Sequence, residues 1–150
     1  MTKRKLICID PGLMTGMGLI DITDLDNPKL EWSDELDIDG FYRKFPETLI
    51  AHWDSVEVVI EKFIITTETA KKSPQPWSME LIGVVKYFCW LYGVKMTLQQ
   101  PSERDFMTNP RLKLLGFWHK GGAGHANDSL RHAGVYLLNQ HRKLAKKLIT

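Results

Sequence analysis

The sequence predicts an α/β domain: a mixed sheet, antiparallel in its first strands and parallel later, with helices packed on it. Three observations carry this. Leu6-Ile7-Cys8-Ile9 is an unbroken apolar run, followed by the turn signal Pro11-Gly12 and a second run over Gly16 to Ile20; two such runs so close together read as a hairpin. Val56 to Glu61 is another apolar run, and like the first it closes on a carboxylate. Beyond it, stretches with apolar residues at helical spacing alternate with one more short strand, which is how parallel strands are joined through helices.

Taken in order, the first strand ends at Asp10, where proline fixes φ and glycine reaches angles closed to other residues. Gly16 and Gly18 in the second strand let another backbone approach closely. Lys29 to Leu36 is a third, more exposed strand after the Asn27-Pro28 turn, and 37–40 is a connection. Phe41 to Trp53 fits an amphipathic helix with Phe41, Phe45, Leu49 and Trp53 inward, although Pro46 weakens its first turn. Thr66 to Pro76 has no apolar residue larger than alanine and reads as an exposed loop. A helix runs from Pro76 to about Tyr92 with Leu81, Val84, Val85 and Phe88 inward, and Gly83 marks a close approach. Val94 to Leu98 is a strand, Pro101 to Arg104 a helical turn and Asn109 to Trp118 a short helix. Gly121 to Gly124 is a flexible hinge, Ala126 opens a helix reaching at least Leu138, and the tail from His141 extends it or frays.

At 150 residues the chain is one domain, residues 1–150, with a real core. No run has the length of a membrane span, and the apolar run after Lys3-Arg4-Lys5 is too short for a signal peptide. Cys8 and Cys89 sit among apolar neighbours, as reduced, packed thiols of a cytoplasmic protein do. Net charge is +2 but segregated: from Asp21 to Glu61 twelve acids face three bases, and from Lys62 onward fourteen bases face five acids. One surface is therefore expected to meet a polyanion.

The last helix can be tested by arithmetic. At about 100° per residue, Ala126, Leu130, Ala133 and Leu137 fall on one apolar face, whereas His125, Asp128 and His132 lie together away from it. His125 and Asp128 project from the first turn; His132 shares their face but sits two turns along the helix, behind the pair at best. A strand-ending Asp can serve only its own turn, and a helix start can simply be solvated. Two strands ending in acids, Asp10 and Glu61, with a helix opening on a His/Asp pair, nevertheless make an oxygen-rich set suited to hard divalent cations. Two such ions, about 3.5–4 Å apart, support in-line phosphoryl displacement.

Ile7-Cys8-Ile9-Asp10-Pro11-Gly12 with Thr15-Gly16-Met17-Gly18, then Val59-Ile60-Glu61, then His125-Ala126-Asn127-Asp128-Ser129-Leu130-Arg131-His132-Ala133 resembles the RuvC family of Holliday junction resolvases, in the RNase H-like superfamily. The likeness spans nearly the whole chain, and the divergent middle resembles a phage-encoded member. It implies an RNase H-like mixed sheet with helices on both faces. It also implies a metal-dependent endonuclease that resolves four-way junctions by paired nicks, leaving 5′-phosphate and 3′-hydroxyl ends. Carried over position by position, Asp10 bridges two Mg²⁺ or Mn²⁺ ions, Glu61 ligates one and Asp128 the other. His125 stands where many relatives have a third Asp, as a metal ligand or a proton-transfer group; nitrogen suits Mn²⁺ better than Mg²⁺. The resemblance further implies a homodimer, and an apolar wedge at Phe63 or Ile64; the aromatic surplus of the helix from Pro76 to Tyr92 is read first as extra core and second as a contribution to the dimer surface. Lys62, Lys71, Lys72, Lys113, Lys120 and Arg131 are candidates for phosphate contact, and no small-molecule cofactor is expected. Three alternatives stay open. One is a nucleotide-binding lobe of the actin-like ATPases, of which 150 residues hold only one. The others are a catalytically idle DNA-binding module and a broader cutter of flaps, forks and three-way branches.

Overall fold

Alternation along the first strand sets the architecture. The structure, a computed structural model, describes residues 2–72 and 76–149, without the side chain of Lys72. Strand β1 (Lys5–Asp10) is buried from end to end, so both of its faces must be covered. Leu6 and Cys8 enter one apolar cluster, and Ile7 and Ile9 enter another on the opposite face, as the two-residue period of a strand requires. With β2 (Thr15–Asp21), β3 (Lys29–Leu36), β4 (Val56–Glu61) and β5 (Lys95–Gln99), it forms a five-stranded sheet in the order β3-β2-β1-β4-β5. The β1–β2 and β2–β3 pairs are antiparallel, and the β1–β4 and β4–β5 pairs are parallel. The mixed sheet and the order of its two halves are those the sequence predicts.

Helices cover both faces. On the Ile7/Ile9 side pack α1 (Ile38–Ala51), through Phe41, Phe45 and Leu49, and, beyond the short α2 (Thr67–Lys72), α3 (Trp77–Tyr92), through Leu81, Ile82, Val85 and Cys89. On the Leu6/Cys8 side pack α4 (Asn109–Leu114), α5 (His125–Gln140) and α6 (Arg142–Ile149), contributing Leu112, Leu130, Ala133, Leu137, Leu144 and Leu148. A 3-10 segment, Pro101–Phe106, links β5 to α4. Cys8 and Cys89 are free thiols on opposite faces, and burial pushes each up to about 12. Among the described residues, no helix is long and apolar enough to cross a membrane.

Several local expectations change. Helix α1 starts three residues before Phe41 because the Asp37 carboxylate accepts from the Gly40 amide at 2.7 Å, an N-cap. It ends at Ala51, so Trp53 falls beyond it and is 54% exposed rather than inward. The expected loop from Thr66 contains α2, because Thr66 and Thr69 cap each other: the Thr69 amide donates to Thr66 Oγ1 at 3.1 Å and the Thr66 amide to Thr69 Oγ1 at 2.7 Å. Residues 73–75 of that loop lie outside the described residues. In α3, Ile82 and Cys89 take inward places expected of Val84 and Phe88, which are half-buried. A Cβ on Gly83 would meet open space, so no close approach occurs there. Helix α4 stops at Leu114, short of Trp118, as the chain turns through Gly116 at φ 75°. The 121–124 loop is fastened rather than a free hinge: Glu35 of β3 accepts from the amides of Ala123 at 2.9 Å, Gly124 at 3.0 Å and Ala126 at 3.3 Å. The tail forms the separate helix α6, seated by Leu144 and Leu148.

Candidate active site

Strand parity aims the first two acids. Asp10 shares its face with Leu6 and Cys8, and Glu61 shares its face with Val59, so both carboxylates turn toward α5. Helix α5 reaches them because of Gly16, the β2 residue paired with Asp10. A Cβ there would lie 1.8 Å from the His125 carbonyl oxygen and 2.7 Å from the Ala126 nitrogen. Only glycine lets the first turn of α5 rest on the strand. Glu35 fixes the same turn from β3, and its hydrogen bond from Ala123, followed by those from Ala126 and Gly124, holds its carboxyl below the ordinary value.

His125 Nδ1 then lies 3.6 Å from Asp10 Oδ2. Arg104, from the 3-10 segment, reaches between the other acids: its Nη1 is 2.8 Å from Glu61 Oε2 and 3.6 Å from Asp128 Oδ2. Asp128 Oδ1 accepts from Arg131 Nη1 at 2.6 Å. His132, fully buried, places Nε2 2.7 Å from Glu61 Oε2 and Nδ1 2.7 Å from Gln99 Oε1. Asp10 is 8% exposed; burial, with the charges of Glu61 and Asp128, pushes its carboxyl up to about 8, against the pull of Arg104. The fold thus brings Asp10, Glu61, His125 and Asp128 to one end of the sheet.

This donor set suits a hard divalent cation. Three carboxylates and an imidazole are the ligand types such ions take, and burial, then the charges of Glu61 and Asp128, disfavours the ionised Asp10 carboxyl, which a bound cation would favour. The arrangement is not a closed cage. Among the described residues, no three His, Cys, Asp or Glu side chains already stand grouped as metal ligands, and the Arg104 guanidinium lies between Glu61 and Asp128.

The candidates for DNA contact are less unified. Lys62, Lys71, Lys113 and Lys120 are exposed, with Lys113 Nζ 4.6 Å from the centre of the Trp118 ring. The side chain of Lys72 lies outside the described residues. Arg131 turns inward, donating to Asp128, to the Met107 carbonyl at 3.1 Å and to Asn109 Oδ1. Phe63 is half-buried and packs on the α1/α3 cluster, while Ile64 is 42% exposed. Sequence reasoning missed Arg104, Gln99 and Glu35; the only signal for Glu35 was its place at the end of a strand.

No family profile matches the chain, and no curated protein does. Solved structures do. Thermus thermophilus RuvC in complex with a Holliday junction substrate superposes with a TM-score of 0.65 at 16% identity, over 91% of this chain and 95% of that one. The fowlpox virus Holliday junction resolvase gives 0.57 at 13% identity, over 90% and 99%. The chain has the RuvC fold. Within that RuvC-type fold, the four polar residues stand at the end of the central strands, on the face covered by α5.

Proposed function

We propose that this protein is a metal-dependent endonuclease that resolves four-way DNA junctions by paired nicks, leaving 5′-phosphate and 3′-hydroxyl ends. The observation that carries the reading is the meeting of Asp10, Glu61, His125 and Asp128 at one end of the sheet: His125 Nδ1 lies 3.6 Å from Asp10 Oδ2, and one guanidinium, Arg104, reaches both Glu61 at 2.8 Å and Asp128 at 3.6 Å. The likeness in fold to two junction resolvases fits it.

Asp10, Glu61 and Asp128, with His125, are the residues that would hold Mg²⁺ or Mn²⁺. Bound there, the ions supply activation of a water and stabilisation of the leaving oxygen. The chain's own groups do the rest. Glu35 and Gly16 seat the first turn of α5, so that His125 and Asp128 face the strand ends. His125, 40% exposed, contacts Asp10 on one side and solvent on the other. It serves there either as a nitrogen ligand or as an acceptor of a proton at its ring nitrogen. Arg104 bridges Glu61 and Asp128 in the free protein, offsetting part of their charge; once those acids are held by cations, its role is to meet the substrate phosphate. Exposed lysines on the basic half of the chain track the DNA backbone, which makes binding salt-dependent.

A four-way junction has two-fold symmetry, and a pair of symmetric nicks calls for two copies of the site. We assign the partner copy to the face of α3 that carries Tyr87, Trp90 and Leu91, exposed by 56%, 77% and 49%.

The test is one gel. Labelled four-way, three-way, flap and linear duplex DNA are incubated with the protein in Mg²⁺, Mn²⁺ or EDTA. Symmetric nicks in the four-way junction with either ion, and none in EDTA, are expected. Equal cutting of flaps and three-way branches would favour the broader nuclease, binding without cutting the idle module. Rates in Mg²⁺ equal to or above those in Mn²⁺ across a concentration series would count against His125 as a ligand.

A further inference from the structure

Glu61 and Gln99 are the last residues of two neighbouring parallel strands and are direct partners in the ladder. Their side chains therefore leave the same face of the sheet, toward α5. Between them stands His132, one helical turn beyond Asp128 and fully buried. An aliphatic residue would fill that place in the core more cheaply, since a polar ring out of water is costly unless it is hydrogen-bonded. Here it is bonded at both ends, at 2.7 Å to Gln99 Oε1 and at 2.7 Å to Glu61 Oε2. The Nε2–H donates to the carboxylate. Nδ1 meets the side-chain amide of Gln99, and the ring tautomer with the orientation of that amide sets which of the two donates.

The second feature is which oxygen is used. Both donors to Glu61, His132 Nε2 and Arg104 Nη1, go to Oε2. Among the described residues, no hydrogen bond reaches Oε1. Arg104 sits on a 3-10 segment and is about one-third exposed at 32%, whereas His132 is locked in the middle of α5. Of the two, the buried ring is the fixed one.

We propose that His132 is a positioning residue of the nuclease site: anchored by Gln99, it holds the Glu61 carboxylate by Oε2 and leaves Oε1 presented to the cluster. The inference rests on the metal-dependent nuclease reading. It assigns to His132 and Gln99 what a carboxylate behind a metal-bound histidine does elsewhere: fixing the orientation of a group that must meet an ion.

His132→Leu keeps the volume apolar and removes both bonds. Gln99→Leu leaves the ring but frees its far end. His132→Gln restores an N–H donor at about the reach of Nε2. Three quantities are measured: the Mn²⁺ concentration giving half-maximal nicking, Mn²⁺ affinity of the DNA-free protein by calorimetry, and junction affinity in EDTA by gel shift. His132→Leu is expected to raise the Mn²⁺ requirement and weaken Mn²⁺ affinity at least about tenfold. Gln99→Leu should shift both in the same direction by less, and His132→Gln should recover most of the loss. Junction affinity in EDTA should stay within about twofold of the parent, since phosphate contacts dominate it. A His132→Leu variant that melts earlier yet keeps the parent's Mn²⁺ dependence overturns the proposal and makes His132 a core residue only. Should that variant fail to fold, an unchanged Mn²⁺ dependence in Gln99→Leu overturns it equally. A parent that neither binds Mn²⁺ nor cuts takes down the nuclease reading itself, and this inference with it.

Discussion

Replacing Asp10 by Asn should make the metal-free protein more stable while removing its activity. The carboxyl is 8% exposed, and burial, then Glu61 and Asp128, raises its pKa from 3.8 to about 8. Below about pH 4 the group is neutral in the folded and unfolded chains alike and adds no pH dependence. Between about pH 4 and pH 8 the unfolded chain releases its proton and the folded chain keeps it, so stability falls as pH rises. Above about pH 8 both are ionised and the loss is complete. At about 1.4 kcal/mol per pKa unit, the ceiling on that loss is about 6 kcal/mol. Water entering the cluster and movement of Arg104 reduce it, to about 2 kcal/mol at the effective dielectric of partly wet sites. Asparagine keeps the size and discards the charge, so the variant recovers that amount. In a domain of this length, this raises Tm by roughly 4–8 °C. Thermal unfolding in EDTA at pH 5 and pH 8 is the assay, with the gap between variant and parent widening toward pH 8. Saturating Mn²⁺ should then raise the parent's Tm more than the variant's. A parent at least as stable as the variant in EDTA at pH 8 would refute the claim that burial and the neighbouring acids together disfavour the Asp10 charge.

Three further perturbations probe the supports. Gly16→Ala drives a methyl to 1.8 Å from a backbone oxygen, with no side chain to swing away; a loss of about 3 kcal/mol or more, read as an early melt, and abolished nicking are expected. Glu35→Ala removes the acceptor for the Ala123, Gly124 and Ala126 amides, so Tm should fall by the equivalent of about 1–2 kcal/mol, with slower nicking at unchanged junction affinity. Arg104→Gln removes the cation shared by Glu61 and Asp128, leaving Glu61 to His132 and Asp128 to Arg131; calorimetry should find tighter Mn²⁺ binding and EDTA melts a lower Tm, whereas unchanged Mn²⁺ affinity would deny that the guanidinium competes with cations.

What was legible in the sequence follows a physical rule. Apolar runs closed by acids revealed β1 and β4, and helical arithmetic put His125, Asp128 and His132 on one face of α5, because strand and helix periods are written into local sequence. The apolar face of α5, with Ala126, Leu130, Ala133 and Leu137 wholly buried, is as the arithmetic has it. Arg104 and Gln99 were not legible. Their roles depend on the β4–β5 register and on where a 3-10 segment leaves the sheet, and neither has a local signature. His132 was visible on the right face, but its bond to Glu61 needs that same register. Misplaced boundaries trace to caps: Asp37 before α1, and the Thr66/Thr69 pair that turns a polar loop into α2.

The central claim is that carboxylates from two strands and one helix act as a single cation-holding site on branched DNA. Its most direct measurement is the single-turnover nicking rate of a four-way junction by the parent and by Asp10→Asn, Glu61→Gln and Asp128→Asn. It is made in Mn²⁺, at protein concentrations that saturate the junction in every case. The account predicts that each variant binds the junction and loses at least about a hundredfold in rate. Any one of the three nicking at the parent's rate would contradict it.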